Sequence, residues 1–189
     1  APFHLPWPVL ALAFTATEVF VVQLQFQHES HAISLSEVAL VTGMLFFRPQ
    51  DVVLARVLGA AIALVLHRRQ FGARLLFTLG HFALEATVAV VLFRRVLGDH
   101  LAVSPLGWAA AFVATIGAGI VSTGSVTLSM SLTGHRLEGS VLRHLLSVRA
   151  VATLATTCLA LLAVAVLWDA PRMAWLLLVA ATSMLGGYR

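Results

Sequence analysis

Arg56 stands in the run "LARVLGAAIALVL" and Glu85 in "HFALEATVAVVLF", each an ionisable group set in apolar sequence. Glu18 and Glu37 sit in similar company, and His81 lies four residues before Glu85. In hydrocarbon a lone Arg at mid-depth costs at least ~2.5–3.5 kcal/mol on insertion scales, so such a residue needs a partner. Arg56 lies ten residues before the end of one apolar run, and Glu85 ten residues after the start of the next. At a rise of about 1.5 Å per residue both stand roughly 15 Å from the basic turn between those runs, which makes them natural partners on adjacent helices. Glu37 is less well matched in depth, and the reach of Arg keeps it as a second partner. Two chemistries fit. One is a structural ion bridge, and the other is the polar wall of a pocket for a small molecule or an ion, formed by Arg56, Glu85 and Glu37.

His81 and Glu85 are spaced i, i+4 and share a helix face, with Thr78 one turn before on the same ridge. That spacing suits a proton relay, a metal pair or a His–Glu hydrogen bond, the last being the commonest use. Glu18 is a further acid in apolar sequence with no partner at its depth, and burial favours its neutral form. The string "HESH" at 28–31 lacks the spacing of a zinc-protease helix and has no third ligand, so a solvated interfacial loop is expected. Neither a metal site nor a cofactor is expected. Cys158 is the single cysteine, which leaves no internal disulfide and makes it an apolar filler. Nothing forms a nucleophile–base pair or a Gly-rich phosphate loop, so this segment is not read as an enzyme.

The elements that must position these residues are legible from composition. Of 189 residues 60% are hydrophobic and 11% charged, and mean hydropathy is +0.95. Soluble domains carry about a quarter charged residues. An all-α, polytopic transmembrane helical bundle is expected, with the lipid bilayer as its partner, and no alternating strand pattern supports a barrel. All twelve basic residues are Arg, scattered over short loops without an aromatic-interleaved basic face, so no nucleic-acid partner is expected.

Seven segments can be drawn: Leu5 to Gln25, Leu35 to Phe47, Asp51 to Leu66, Leu75 to Phe93, Leu106 to Leu132, Ala150 to Trp168 and Met173 to Gly187. Pro49 breaks the second from the third. Those two are short, and the count is six if they form a re-entrant hairpin. Residues 136–149 read as an amphipathic connector lying at the membrane surface. Segment five carries a ridge of small and polar residues, Ala111, Thr115, Gly119, Thr123, Thr127 and Ser131, suited to close helix packing or to lining a cavity. Ala152, Thr156 and Ala160 of segment six are its expected mates. Arg68, Arg69 and Arg74, with Arg136, Arg143 and Arg149, place their turns and the C-terminus in the cytoplasm, while Arg94 and Arg95 fall on the opposite side. No linker divides the chain, so residues 1–189 are read as one domain.

Over essentially its whole length, and most specifically from Glu18 to Glu85, the chain resembles the membrane-integral N-terminal region of actinobacterial signalling proteins. "SLSE" (34–37), "FFRP" (46–49), "LARVLGA" (54–60), "HRRQ" (67–70) and "FALE" (82–85) carry the resemblance. It implies a sensory or anchoring module ahead of cytoplasmic diguanylate cyclase (GGDEF) or cyclic-di-GMP phosphodiesterase (EAL) domains. It also implies a bacterial cytoplasmic membrane and a homodimer, since two cyclase domains must meet to join two GTP molecules. The ending "GGYR" is similar to the point where such proteins leave the membrane, so output domains are expected after residue 189. Thr78 stands where that group usually has Asn, and His81 where Gln is common, which implies a different signal if those positions touch a ligand. The layout is also weakly similar to the substrate-binding subunits of vitamin transporters. A passive membrane anchor is the third expectation.

Overall fold

The computed structural model describes residues 6–27, 36–67, 69–132 and 139–169. Among these the chain is all-α, with six helices and no strand. They are α1 (Trp7–Gln27), α2 (Ser36–Phe46), α3 (Pro49–Leu66), α4 (Ala73–Leu97), α5 (Pro105–Leu132) and α6 (Gly139–Asp169). Three stretches are long and apolar enough to cross a membrane: α3, α4 and Pro105–Ser129 of α5. The expected seventh segment, Met173 to Gly187, lies outside the described residues, as does "HESH".

Local sequence sets the boundaries. Phe47 closes α2 with a hydrogen bond to the Gly43 carbonyl. Arg48 is extended (φ −72°, ψ 148°), as a residue before proline must be, and Pro49 opens α3. Asp51 sits in the first turn of α3, where the helix dipole favours a carboxylate. Gly98 ends α4 at φ 56°, a conformation glycine adopts without the Cβ penalty. Arg94 and Arg95 occupy the last turn of α4, the favourable end for cations. Ser104 caps α5 by accepting the Gly107 N–H at 3.1 Å, with Pro105 in the first helical position.

Two segment readings change. Segments two and three are not a matched pair of short spans. α2 has 11 residues, about 16 Å of helix, whereas α3 has 18 residues and is span-length alone. The connector is not a separate surface helix either. From Gly139 it runs unbroken into α6, a 31-residue helix, because no glycine or proline interrupts residues 141–150.

The helices form an arc. α1 packs on α3, α3 on α4, α4 on α5 and α5 on α6, while α2 touches all five. α2 is therefore the centre, and its Ala39, Leu40, Val41, Met44 and Leu45 are buried. The bundle is apolar outside as well as inside. Leu54, Leu58, Ile62 and Leu66 form an exposed row along α3, and Phe77, Leu84 and Val91 an exposed row along α4. Arg56, Glu85, Thr115, Ser122, Thr153, Thr156 and Thr157 are buried instead. That inversion of the water-soluble pattern suits a lipid-facing surface.

Close approach of α1 to α3 depends on one row of small residues, Ala55, Gly59 and Ala63, all buried. A Cβ on Gly59 would stand 2.6 Å from the Ala11 carbonyl oxygen and 2.7 Å from the Phe14 Cβ. The Thr15 hydroxyl lies 3.2 Å from the Gly59 carbonyl across the same crossing. Gly119 of α5 is different, because a Cβ there would meet nothing within 4 Å. Gly59→Ala should therefore destabilise the purified protein by about 1–3 kcal/mol through overpacking. Gly119→Ala should leave stability unchanged or raise it by up to about 1 kcal/mol through helix propensity. Thermal unfolding in detergent checks both.

Candidate functional site

The centre of the site is the Arg56 guanidinium. α3 turns it inward, three residues before Gly59, and leaves it 4% exposed. Its Nη1 donates to Glu18 Oε1 at 2.9 Å, and its Nη2 stands 3.6 Å from Glu85 Oε2. The guanidinium carbon also lies 5.0 Å from the Phe14 ring centroid and 4.4 Å from that of Phe82. Each flanking helix thus offers the same pair of groups. α1 presents Phe14 and Glu18 at i, i+4, and α4 presents Phe82 and Glu85 at i, i+3, spacings that bring both onto one face. Carboxylates supply Coulomb attraction and hydrogen bonds, while the ring faces supply cation–π attraction that strengthens when water is excluded.

The expected Arg56–Glu85 pair is present, and Glu18 is the nearer partner. Depth counting gives Glu18 no partner because it considers only position along each helix. What brings Glu18 within reach is the crossing at Gly59, which presses α1 onto α3 one turn from Arg56. Glu37 does not pair with Arg56. Its carboxylate accepts hydrogen bonds from the Thr153 hydroxyl at 2.9 Å and from the Thr156 hydroxyl, both on α6. The Thr157 hydroxyl then reaches Thr115 of α5 at 3.1 Å, and both of these side chains are buried. A polar line therefore runs from α2 through α6 to α5, separate from the guanidinium cluster.

His81 binds across to α5. Its Nδ1 lies 2.9 Å from Ser125 Oγ and its Nε2 lies 3.2 Å from Ser122 Oγ. Ser125 spends its proton on the Val121 carbonyl at 2.7 Å, so its oxygen is left to accept from an Nδ1–H. The ring thus joins α4 to two hydroxyls of α5, Ser122 and Ser125. Thr78 is half-buried and donates to the Arg74 carbonyl of its own helix at 2.9 Å.

The ridge on α5 divides. Ala111 and Thr115 are buried, Gly119, Thr123 and Thr127 are half-buried, and Ser131 is exposed. Thr123 and Thr127 donate to the carbonyls of Gly119 and Thr123, one turn back. The fully enclosed row is its neighbour, Ala110, Ala114, Ala118 and Ser122, one residue out of phase. On α6 the sequence reading names Thr156 and omits Thr153 and Thr157, although the hydroxyl cluster "TLATT" was a readable sign. It also omits Phe14 and Phe82, whose sign is an aromatic one turn before each acid, and the Ala55–Gly59–Ala63 row.

Among the described residues no group of three or more His, Cys, Asp or Glu side chains could hold a metal ion. Cys158 is free and exposed on α6. Comparison with family models, with curated proteins and with solved structures returns no match for this chain.

Removing one member of this junction should cost more than removing all of it. Arg56→Met alone leaves two acids buried without their cation, and a loss of about 3–5 kcal/mol is expected. The triple variant E18Q/R56M/E85Q should regain most of that loss. Chemical or thermal unfolding in detergent distinguishes the two, and a single variant as stable as the triple would contradict the ionic reading.

Proposed function

We propose that this chain is the membrane-embedded input and anchoring module of a bacterial signal-transduction protein. In this reading it sits in the cytoplasmic membrane with its C-terminus in the cytoplasm. It regulates diguanylate cyclase or cyclic-di-GMP phosphodiesterase domains following residue 189, and it works as a homodimer. The observation that carries the reading is the buried junction of Arg56 with Glu18 and Glu85, which ties α1, α3 and α4 together. Ionised groups at membrane depth are expensive, and where they persist they mark ion pathways, relays or ligand sites. Both polar sets join helices rather than decorate one, since Glu37 links central α2 to α6. A small-molecule or ion signal that binds two arrangements of these links unequally would shift their populations and move α6. The resemblance of residues 18–85 to input regions of cyclic-di-GMP proteins supports the same role.

One observation favours the plainer reading of a passive anchor. Arg56 is already filled by two carboxylates and two rings. Two open surface grooves lie elsewhere: one is lined by Thr15, Val19, Ile62, Ala63, Leu66 and His67, the other by Pro49, Val90, Val91, Arg94 and Arg95. The triple variant E18Q/R56M/E85Q separates the two readings in the full-length protein. Cyclic-di-GMP levels in cells expressing it at wild-type abundance should change by roughly fivefold or more if the junction transmits a signal. Unchanged levels would make the junction a staple and the module an anchor.

A further inference from the structure

Two arginines at one end of the bundle have no side-chain partner among the described residues. Arg94 and Arg95 are exposed in the last turn of α4. Among the described residues neither guanidinium has a hydrogen-bond or ion-pair partner. Both border an open groove of about 420 Å³, whose other lining residues are Pro49, Val90 and Val91. Val90 lies one turn below Arg94 and Val91 one turn below Arg95, so each arginine stands at the head of an apolar lane. Pro49 forms the facing wall, at the positive end of the α3 dipole, and exposed Arg48 precedes it. Asp51, the nearest acid on α3 in sequence, makes no ion pair with either arginine.

We infer that this groove, floored by Val90 and Val91 and headed by Arg94 and Arg95, seats one anionic phospholipid. An acyl chain matches the valine floor, and a phosphodiester matches the paired guanidinium donors at helix-end depth. A zwitterionic lipid would bring its own cation against the arginines and gains less. The same site accounts for two arginines that fall on the wrong side of the positive-inside pattern, since here they hold a lipid rather than set orientation. The inference rests on the membrane placement of α3 and α4 and is independent of the signalling reading.

The test uses the full chain purified in mild detergent, with lipid binding read by native mass spectrometry. Phosphatidylglycerol should bind about tenfold more tightly than phosphatidylcholine of the same chains. Arg94→Gln with Arg95→Gln should abolish that preference, while Arg69→Gln with Arg74→Gln, at the other end of α4, should preserve it. Raising the salt from about 0.05 M to about 0.5 M should weaken the preference in the wild type, which tests the charge term without any substitution. Chain-free glycerophosphoglycerol should not compete. A preference that survives R94Q/R95Q, one lost only in R69Q/R74Q, or full competition by the bare headgroup would each overturn the assignment.

Discussion

A guanidinium cannot be left alone in hydrocarbon, and most of the interior arrangement around α3 follows from that constraint. The Arg56 side chain has five N–H donors and no acceptor. Folding must therefore bring it acceptors, and it brings one from α1 and one from α4. The aromatic partners share the task, since Phe14 and Phe82 offer their ring faces where water would otherwise be needed. Gly59 matters for the same reason. With a side chain at position 59, α1 could not approach closely enough for Glu18 to reach. Packing and electrostatics are thus one device here, a small-residue crossing that delivers a carboxylate.

The second polar set obeys the same logic with weaker charges. Glu37 stands in the first turn of α2, the helix that touches every other. Hydroxyls from α6 satisfy it, so the acid at the centre of the bundle is held by neutral donors rather than by a cation. Such bonds are individually modest in membranes, because the unfolded chain in lipid finds partners too. They are also easier to rearrange than a buried ion pair. The two sets differ accordingly in kind: an ion cluster around Arg56, and a carboxylate held by hydroxyls at Glu37.

Much of the class was legible in the residues, and the partners were legible only in part. Hydropathy gave the all-α membrane-type architecture, and Pro49 gave the break between α2 and α3, because those signals are local. Depth along a helix found the Arg56–Glu85 pair. It missed Glu18, because which helices cross, and where, depends on small residues acting at a distance in sequence. The row Ala55, Gly59 and Ala63 announces such a crossing, yet nothing in it says that α1 is the partner. The ridge on α5 was displaced by one residue from the enclosed row. With about 3.6 residues per turn, adjacent rows of alanine and glycine have nearly equal claims on paper. Continuity of α6 was lost because charged residues at 143 and 149 read as a surface patch, although they are compatible with an unbroken helix.

The measurement that bears most directly on this picture is a spin-label accessibility scan along α3 in liposomes. Oxygen, which concentrates in hydrocarbon, should reach labels at Leu54, Leu58, Ile62 and Leu66, with minima at Ala55 and Ala63 on the packed face. A water-soluble nickel reagent should reach none of the labels at positions 54–63. Oxygen and nickel accessibility with no helical period, or nickel contact along the leucine row, would show that lipid does not solvate this surface and would contradict the account of why Arg56 is buried among acids.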